Sequence, residues 1–276
     1  MISFIIIKKL TKMLFILFYS ILSSQLNNES NFNETCHYSS LSPNVNSKNF
    51  SSNTENSLKQ SKISLLATEG SLGNSIRYSI YDQIAYITGY GEMNNYANTH
   101  SPLYPYRQIL KIIYISEDIT SIGNFVFAHI SIDNITIPQS VSKIGDYAFY
   151  NCQMLTNVSF IGNLSSIGNY GFHNCINLQK IDIFGNFLTI GQYAFSSCTK
   201  LYDIRIDTNS TIIQNNAFTS CTSLENLKIN INYLTIGNSA FASCNKLVNL
   251  TVKGEEISIG YRSFYPCSLL NKIEII

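Results

Sequence analysis

Tryptophan is absent and charge is scarce: 13% of the 276 residues are Asp, Glu, Lys or Arg, with a formal net charge of +1. A chain so nearly neutral carries no basic stripe for nucleic acid and no acidic block for a solvating tail. The polar quota falls to Asn, Ser and Thr, while 18 Tyr and 16 Phe supply the aromatic surface. Histidine is thin as well. His37, His100, His129 and His173 are scattered, and no nucleophile, acid–base pair or convergent ligand set accompanies them. The expectation is therefore no enzyme, no catalytic residue, no metal and no cofactor.

Long apolar runs are missing beyond the N-terminus. Lys8, Lys9 and Lys12 precede an apolar run from Met13 to Leu22, which ends in Ser23-Ser24. That order reads as a secretory signal peptide over 1–24, with an uncleaved signal anchor as the competing reading and Met13 as a competing start. No later stretch approaches the roughly 20 apolar residues that a membrane span requires. A secreted or cell-surface product without a further span is expected. Residues 25–69 are rich in Asn and Ser with little apolar periodicity, so they read as a disordered lead.

The range 70–109 reads as an N-terminal cap. Arg77-Tyr78-Ser79-Ile80 and Ile84-Ala85-Tyr86-Ile87 flank Tyr81-Asp82-Gln83, the pattern of a β-hairpin. Gly89-Tyr90-Gly91 has no third glycine and no helical pattern after it, so it is a turn and not a phosphate loop.

From 110 to 276 the chain repeats. Cys152, Cys175, Cys198, Cys221, Cys244 and Cys267 stand 23 residues apart. Phe149, Phe172, Phe195, Phe218, Phe241 and Phe264 keep the same step, as do Leu155, Leu178, Leu201, Leu224, Leu247 and Leu270. Ile144, Ile167, Ile190, Ile213, Ile236 and Ile259, usually followed by Gly, complete the frame. Chance does not keep four registers in phase over six copies. Within a unit, Leu155-x-x-Val158-x-Phe160-x-x-Asn163 fits the leucine-rich pattern L-x-x-L-x-L-x-x-N. A degenerate unit with Ile122-Gly123, Phe127 and Ile132-x-x-Ile135-x-Ile137 precedes these, and Leu110-x-x-Ile113-x-Ile115 begins the array as a bare strand. One unit cannot bury its apolar face alone, whereas a stack buries a continuous core. The fold class expected is α/β: a leucine-rich-repeat solenoid with short parallel strands on a concave face, tight helical or 3₁₀ turns on the convex face, and the hairpin cap.

The phrase I-G-x-x-A-F-x-x-C-x-x-L, seen from Ile190 to Leu201, resembles the BspA-like leucine-rich-repeat surface proteins of anaerobic oral bacteria and mucosal protist parasites. Ile87-Thr88-Gly89-Tyr90-Gly91-Glu92-Met93 and Ser101-Pro102-Leu103-Tyr104 resemble that family's cap, with Leu103 where the family usually has Trp. The resemblance covers roughly residues 70 to 276. It implies an adhesin for host matrix or for neighbouring microbes.

The cysteine series invites metal or disulfide readings. Metal ligands must converge on one centre, whereas these stand one per coil. Neighbouring coils about 4.8 Å apart would hold the thiols parallel and not facing, so a buried thiol ladder is expected. Cys36, off the period, is then the one candidate for an intermolecular bond. The Phe series reads as a core spine. Asn163, Asn186, Asn209 and Asn232 occupy the ninth position and read as a buried ladder satisfying the turn backbone. Of the N-x-[ST] sequons at Asn28, Asn33, Asn49, Asn134, Asn157, Asn163, Asn209 and Asn249, those at Asn163 and Asn209 are accordingly expected to be buried and unmodified, while Asn28, Asn33 and Asn49 are free to carry glycan.

Positions three and five of each strand point away from the core. The candidate ligand-binding residues are therefore Asn157, Ser159, Lys180, Asp182, Asp203, Arg205, Asn226, Lys228, Asn249 and Thr251, with Lys180 beside Asp203 and Asp182 beside Arg205. A cross-strand charge ladder that only keeps the sheet soluble is the plainer account of any one of them. The expected partner is a host or microbial surface protein or glycan, not nucleic acid. The rival is a self-associating coat component, because Ile273-x-Ile275-Ile276 offers an apolar coil without a polar cap; a truncated copy would look the same.

Overall fold

The computed structural model describes residues 68–275. The expected signal peptide, most of the Asn/Ser-rich lead, Cys36 and His37, the sequons at Asn28, Asn33 and Asn49, and Ile276 lie outside the described residues. Among the described residues the strands are β1 (Thr68–Ser71), β2 (Ile76–Tyr81), β3 (Ile84–Gly89), β4 (Gly91–Glu92), β5 (Ile112–Ile115) and β6 (Ile119–Ile122). They continue with β7 (Asn134–Ile137), β8 (Lys143–Ile144), β9 (Asn157–Phe160), β10 (Ser166–Ile167), β11 (Lys180–Ile190) and β12 (Asp203–Ile213). The last are β13 (Asn226–Asn230), β14 (Tyr233–Ile236), β15 (Asn249–Lys253), β16 (Glu256–Ile259) and β17 (Lys272–Ile275).

Strands β1, β2 and β3 pair antiparallel, with Tyr81 opposite Ile84 across the Asp82-Gln83 turn. Every later pairing is parallel. β5 lies beside β3, with Ile113 opposite Ala85. One parallel face runs through β7, β9, the first half of β11, the first half of β12, β13, β15 and β17. A second runs through β4, β6, β8, β10, the second halves of β11 and β12, β14 and β16. In β11 and β12 the two faces join in single 11-residue strands that turn the corner without a break. The fold is a β-solenoid whose coils, 22 residues from Ile122 to Ile144 and 23 thereafter, lay their strands in register on one another.

The third side of each coil corrects the helical expectation. The segment from Ile-Gly to Cys is a run of hydrogen-bonded turns, and the only helix among the described residues is the three-residue 3₁₀ turn Tyr104–Tyr106. The reason is where the amides go. In the coil from Gly145 to Cys152, Tyr147, Phe149 and Asn151 donate to Asn169, Gly171 and His173 of the next coil. Ala148, Tyr150 and Cys152 donate instead to the residue three back. A helix would bond every amide within its own turn and leave none to join the coils. The alternation also needs left-handed backbone at Tyr147 (φ 57°) and Asn151 (φ 59°), which interrupts any helix.

Packing fills the interior with the repeated residues. Phe127, Phe149, Phe172, Phe195, Phe218, Phe241 and Phe264 stack one per coil, with centroids 4.8–5.2 Å apart. From Phe149 onward the ring planes diverge by at most 5°. All but Phe264 are fully buried. Phe264, Cys267 and Leu270, in the last described coil, are only partly buried. Gly168 shows how closely the coils approach: a Cβ there would meet the backbone nitrogen of Asp146 at 2.5 Å. Phe195→Ala removes a ring packed on both neighbours and is expected to cost about 3–5 kcal/mol, read from urea denaturation. Phe264→Ala, covered on one side, is expected to cost distinctly less.

Candidate binding face

Outward residues of the first strand face stand in columns set by the parallel register. Asn134, Asn157, Lys180, Asp203, Asn226 and Asn249 form the third-position column. Thr136 pairs with Ser159, and Asp182, Arg205, Lys228, Thr251 and Glu274 follow in the fifth-position column. Their apolar neighbours Ile181, Ile183, Ile204, Ile206, Leu227, Ile229, Leu250 and Val252 are buried beneath. Alternation along each strand thus separates the surface from the core.

The ion pairs only partly follow the sequence expectation. Lys180 Nζ lies 3.3 Å from Asp203, as the columns imply, and 3.3 Å from Asp182 on its own strand. Those hydrogen bonds, with Asp203 contributing most, hold the Lys180 ammonium above its ordinary pKa. Arg205 is beside Asp182 in register but pairs with Asp207 at 3.2 Å and lies over the Phe184 ring at 5.2 Å. One oxygen of Asp182 is left buried without a hydrogen-bond partner. Exposed pairs of this kind are screened by solvent and cost side-chain freedom to hold, so they do not hold the fold together.

Among the described residues, three shallow hollows open on this face. One of about 240 Å³ is lined by Asn157, Ser159, Lys180, Asp182 and Phe184, among others. A second of about 430 Å³ lies over Arg205, Asp207, Lys228, Asn230, Thr251 and Lys253. The third, about 230 Å³, is lined by Asn226, Lys228, Asn249, Thr251 and Glu274. Every candidate residue named from the sequence except Asp203 lines one of them. The column at position seven, Phe184, Asp207, Asn230 and Lys253, belongs to the face as well and was missed. Its signal was present: Asp203-Ile204-Arg205-Ile206-Asp207 keeps the period-two alternation one step past the six-residue motif.

The turn side carries two polar ladders. Each periodic cysteine donates its thiol to the carbonyl of the Phe in the preceding coil, Cys175 to Phe149 and Cys198 to Phe172, for example, both at 3.2 Å. The bonds span 3.0–3.4 Å across the series. Cys152, Cys175, Cys198, Cys221 and Cys244 are buried free thiols. Burial pushes Cys152 and Cys198 up to about 12. The second ladder lies at the residue after Ile-Gly. Asn124 Oδ1 accepts the Asp146 amide at 2.8 Å, Asp146 Oδ1 the Asn169 amide at 2.6 Å, and Asn169 Oδ1 the Gln192 amide at 2.8 Å. Asn215 and Asn238 do the same for the coils after them.

That position, and not the ninth, is the structural asparagine ladder. Asn163, Asn186, Asn209 and Asn232 are exposed, contrary to expectation. The cause is visible at β12, a continuous strand through Asn209: the backbone there is already bonded coil to coil, with the Asn209 carbonyl accepting the Asn232 amide, so the Asn209 side chain is left to bond Asn186 at 3.3 Å. The sequons at Asn163 and Asn209 are therefore surface sites.

An aromatic row also sits on the turn side. Phe125, Tyr147, Tyr170 and Tyr193 stack with centroids 4.5–4.9 Å apart, half-buried, all at positive φ. Beside them Tyr150 stacks on His173 at 5.3 Å, and burial lowers the His173 pKa. The ring faces are taken up by one another, so the row stiffens the turns. Among the described residues no group of three or more His, Cys, Asp or Glu is placed to hold a metal ion, and no helix is long and apolar enough to cross a membrane.

A model of the BspA-type leucine-rich-repeat region matches the chain in 6 copies, over residues 104–225 and 189–276. Similar solved structures include a leucine-rich cell surface protein from Faecalibacterium prausnitzii A2-165, at 20% identity over 71% of this chain, with a TM-score of 0.37. The match spans 60% of that protein's own length. A leucine-rich-repeat protein from Bacteroides ovatus ATCC 8483 is 18% identical over 74% of this chain and 76% of its own, with a TM-score of 0.38. The T. pallidum leucine-rich-repeat protein is 20% identical over 64% of this chain and 91% of its own, with a TM-score of 0.37. No curated protein matches the chain.

The thiol ladder makes a direct forecast. A thiol with a pKa near 12 is almost wholly protonated at pH 8, and the thiolate is the species that alkylates. Iodoacetamide at pH 8 is expected to leave Cys152, Cys175, Cys198, Cys221 and Cys244 unlabelled in the native chain and to label all five in guanidinium, as read by peptide mapping. Labelling of Cys198 in the native chain would contradict its place in the core.

Proposed function

The chain belongs to the BspA-type leucine-rich-repeat family, and on that footing we propose that it is a non-enzymatic binding module acting at a cell surface. The observation that carries the reading is the first strand face. Its outward columns mix Lys180, Asp182, Asp203, Arg205 and Lys228 with amides and hydroxyls, and all three hollows open there. Solenoids offer partners a surface of this kind, repeated along the stack and held rigid by the core. The partner is a protein or glycan of a host or of a neighbouring microbe. In this reading the antiparallel strands β1 to β3 close the N-terminal end of the stack, and a signal over 1–24 directs the product outward.

Residues on this face can be changed without unfolding the protein, because the ion pairs there contribute little stability. Replacing Asp182, Asp203 and Arg205 together by Asn, Asn and Gln is expected to weaken adhesion of the full chain to host cells or matrix by roughly tenfold, a loss of about 1.4 kcal/mol. Circular dichroism and the denaturation midpoint check that the variant is folded. Undiminished adhesion by a folded variant would remove this face as the binding surface.

A further inference from the structure

The hollow of about 430 Å³ differs from its neighbour in charge. Around the hollow at β9 and β11, Lys180 is taken up by Asp182 and Asp203, so that region is neutralised. Around the larger hollow stand Arg205, Lys228 and Lys253 against the single carboxylate of Asp207. Asp207 already accepts one hydrogen bond on each oxygen, from Arg205 at 3.2 Å and from the Asn230 amide at 3.0 Å, which leaves each oxygen a second lone pair for a further donor. Neither Lys228 nor Lys253 forms an ion pair among the described residues. Lys228 pairs in register with Thr251, and Asn230 with Lys253, so the two lysines are diagonal neighbours on adjacent strands. A strand spacing of about 4.8 Å and a two-residue rise of about 6.6 Å put their Cα atoms roughly 8 Å apart.

Two unpaired ammonium groups at that spacing, over a floor of buried Ile229 and flanked by the Thr251 hydroxyl and Asn230 amide, form a site for a small acidic group carried on a polar body. We propose that this hollow binds the sulfate or carboxylate of an anionic oligosaccharide through Lys228 and Lys253, with Asn230, Thr251 and Asp207 meeting sugar hydroxyls. The inference rests on the strand face being the binding surface. The volume falls in the range of small-ligand sites, about 300–1,000 Å³. No aromatic side chain lines the hollow, which leaves nothing for bases to stack on and sets nucleic acid aside. An acidic peptide would meet the Asp207 carboxylate with carboxylates of its own, whereas a sugar brings hydroxyls that donate to it. Glu274 lines the adjoining hollow with Lys228 and bounds the site on the β17 side.

The test is calorimetric titration of the full chain with three hexasaccharides: heparin-derived (sulfated), hyaluronan (carboxylated, unsulfated) and chitin (uncharged). The expected result is binding of one or both charged sugars at least tenfold tighter than chitin, weakening as salt rises from 50 to 500 mM. Whichever charged sugar binds tighter identifies the acidic group. Lys228→Gln with Lys253→Gln is expected to lose at least tenfold in affinity. Lys143→Gln with Lys200→Gln, exposed lysines away from this face, is expected to change it less than twofold. Equal binding of chitin, an unchanged affinity in the Lys228/Lys253 variant, or a tetraglutamate peptide binding as tightly as the sugars would overturn the proposal. If the Asp182/Asp203/Arg205 variant loses adhesion while no charged sugar binds, the face stands as the binding surface and only the ligand class falls.

Discussion

Each coil of this protein must give half of its turn-segment amides to the next coil, and most of the repeat follows from that obligation. Phe149 and Phe172 bond forward through their amides and accept thiol hydrogen bonds from Cys175 and Cys198 through their carbonyls. Each of those carbonyls also accepts the amide of the cysteine three residues on, so one oxygen ties its own coil and the next. A thiol is small enough to sit beneath the next ring and still make that bond. Serine in its place would add a stronger polar group to a dry interior, and alanine would leave the Phe carbonyl with only the amide bond from its own coil and no side-chain bond to the next. The Phe stack, the close approach at Gly168 and the amide ladder through Asn124, Asp146 and Asn169 serve the same contact between coils.

The strand faces join the coils as well, but through parallel backbone ladders that ask nothing of the outward side chains. Their backbone bonds are made by register alone, and their inward residues are interchangeable Ile, Leu and Val. The outward residues then vary freely from coil to coil. One stretch gathers a neutralised Lys–Asp cluster around Lys180, and the next leaves Lys228 and Lys253 unpaired. Variation on a fixed frame suits recognition of surfaces, since the same core supports any outer column.

The buried set and the exposed set therefore divide the labour cleanly. The five buried thiols are held protonated, four chiefly by burial and Cys244 chiefly by its hydrogen bond with Cys221 and then by burial, and they belong to the frame, so their even spacing marks structure and not chemistry. The aromatic row from Phe125 to Tyr193 adds stiffness where the backbone adopts left-handed φ at non-glycine residues. Asn216 and Ser239 hold the same φ further along without rings, so the row reinforces the N-terminal coils in particular.

The sequence by itself determined the repeat length, the buried identities of Phe, Cys and Leu, and the outward columns from Asn157 to Thr251, because period two and period 23 are written directly in the residue order. It was silent on hydrogen bonding between coils, which depends on which backbone group faces which neighbour. Hence the helical turns expected near Tyr147 are alternating inter-coil turns, and the structural amides follow Ile-Gly at Asn124, Asn169 and Asn238 instead of occupying the ninth position. Only the stacked coils decided that Arg205 turns to Asp207 and not to Asp182. Ion pairing follows side-chain reach across a register, and a register exists only once the strands have met.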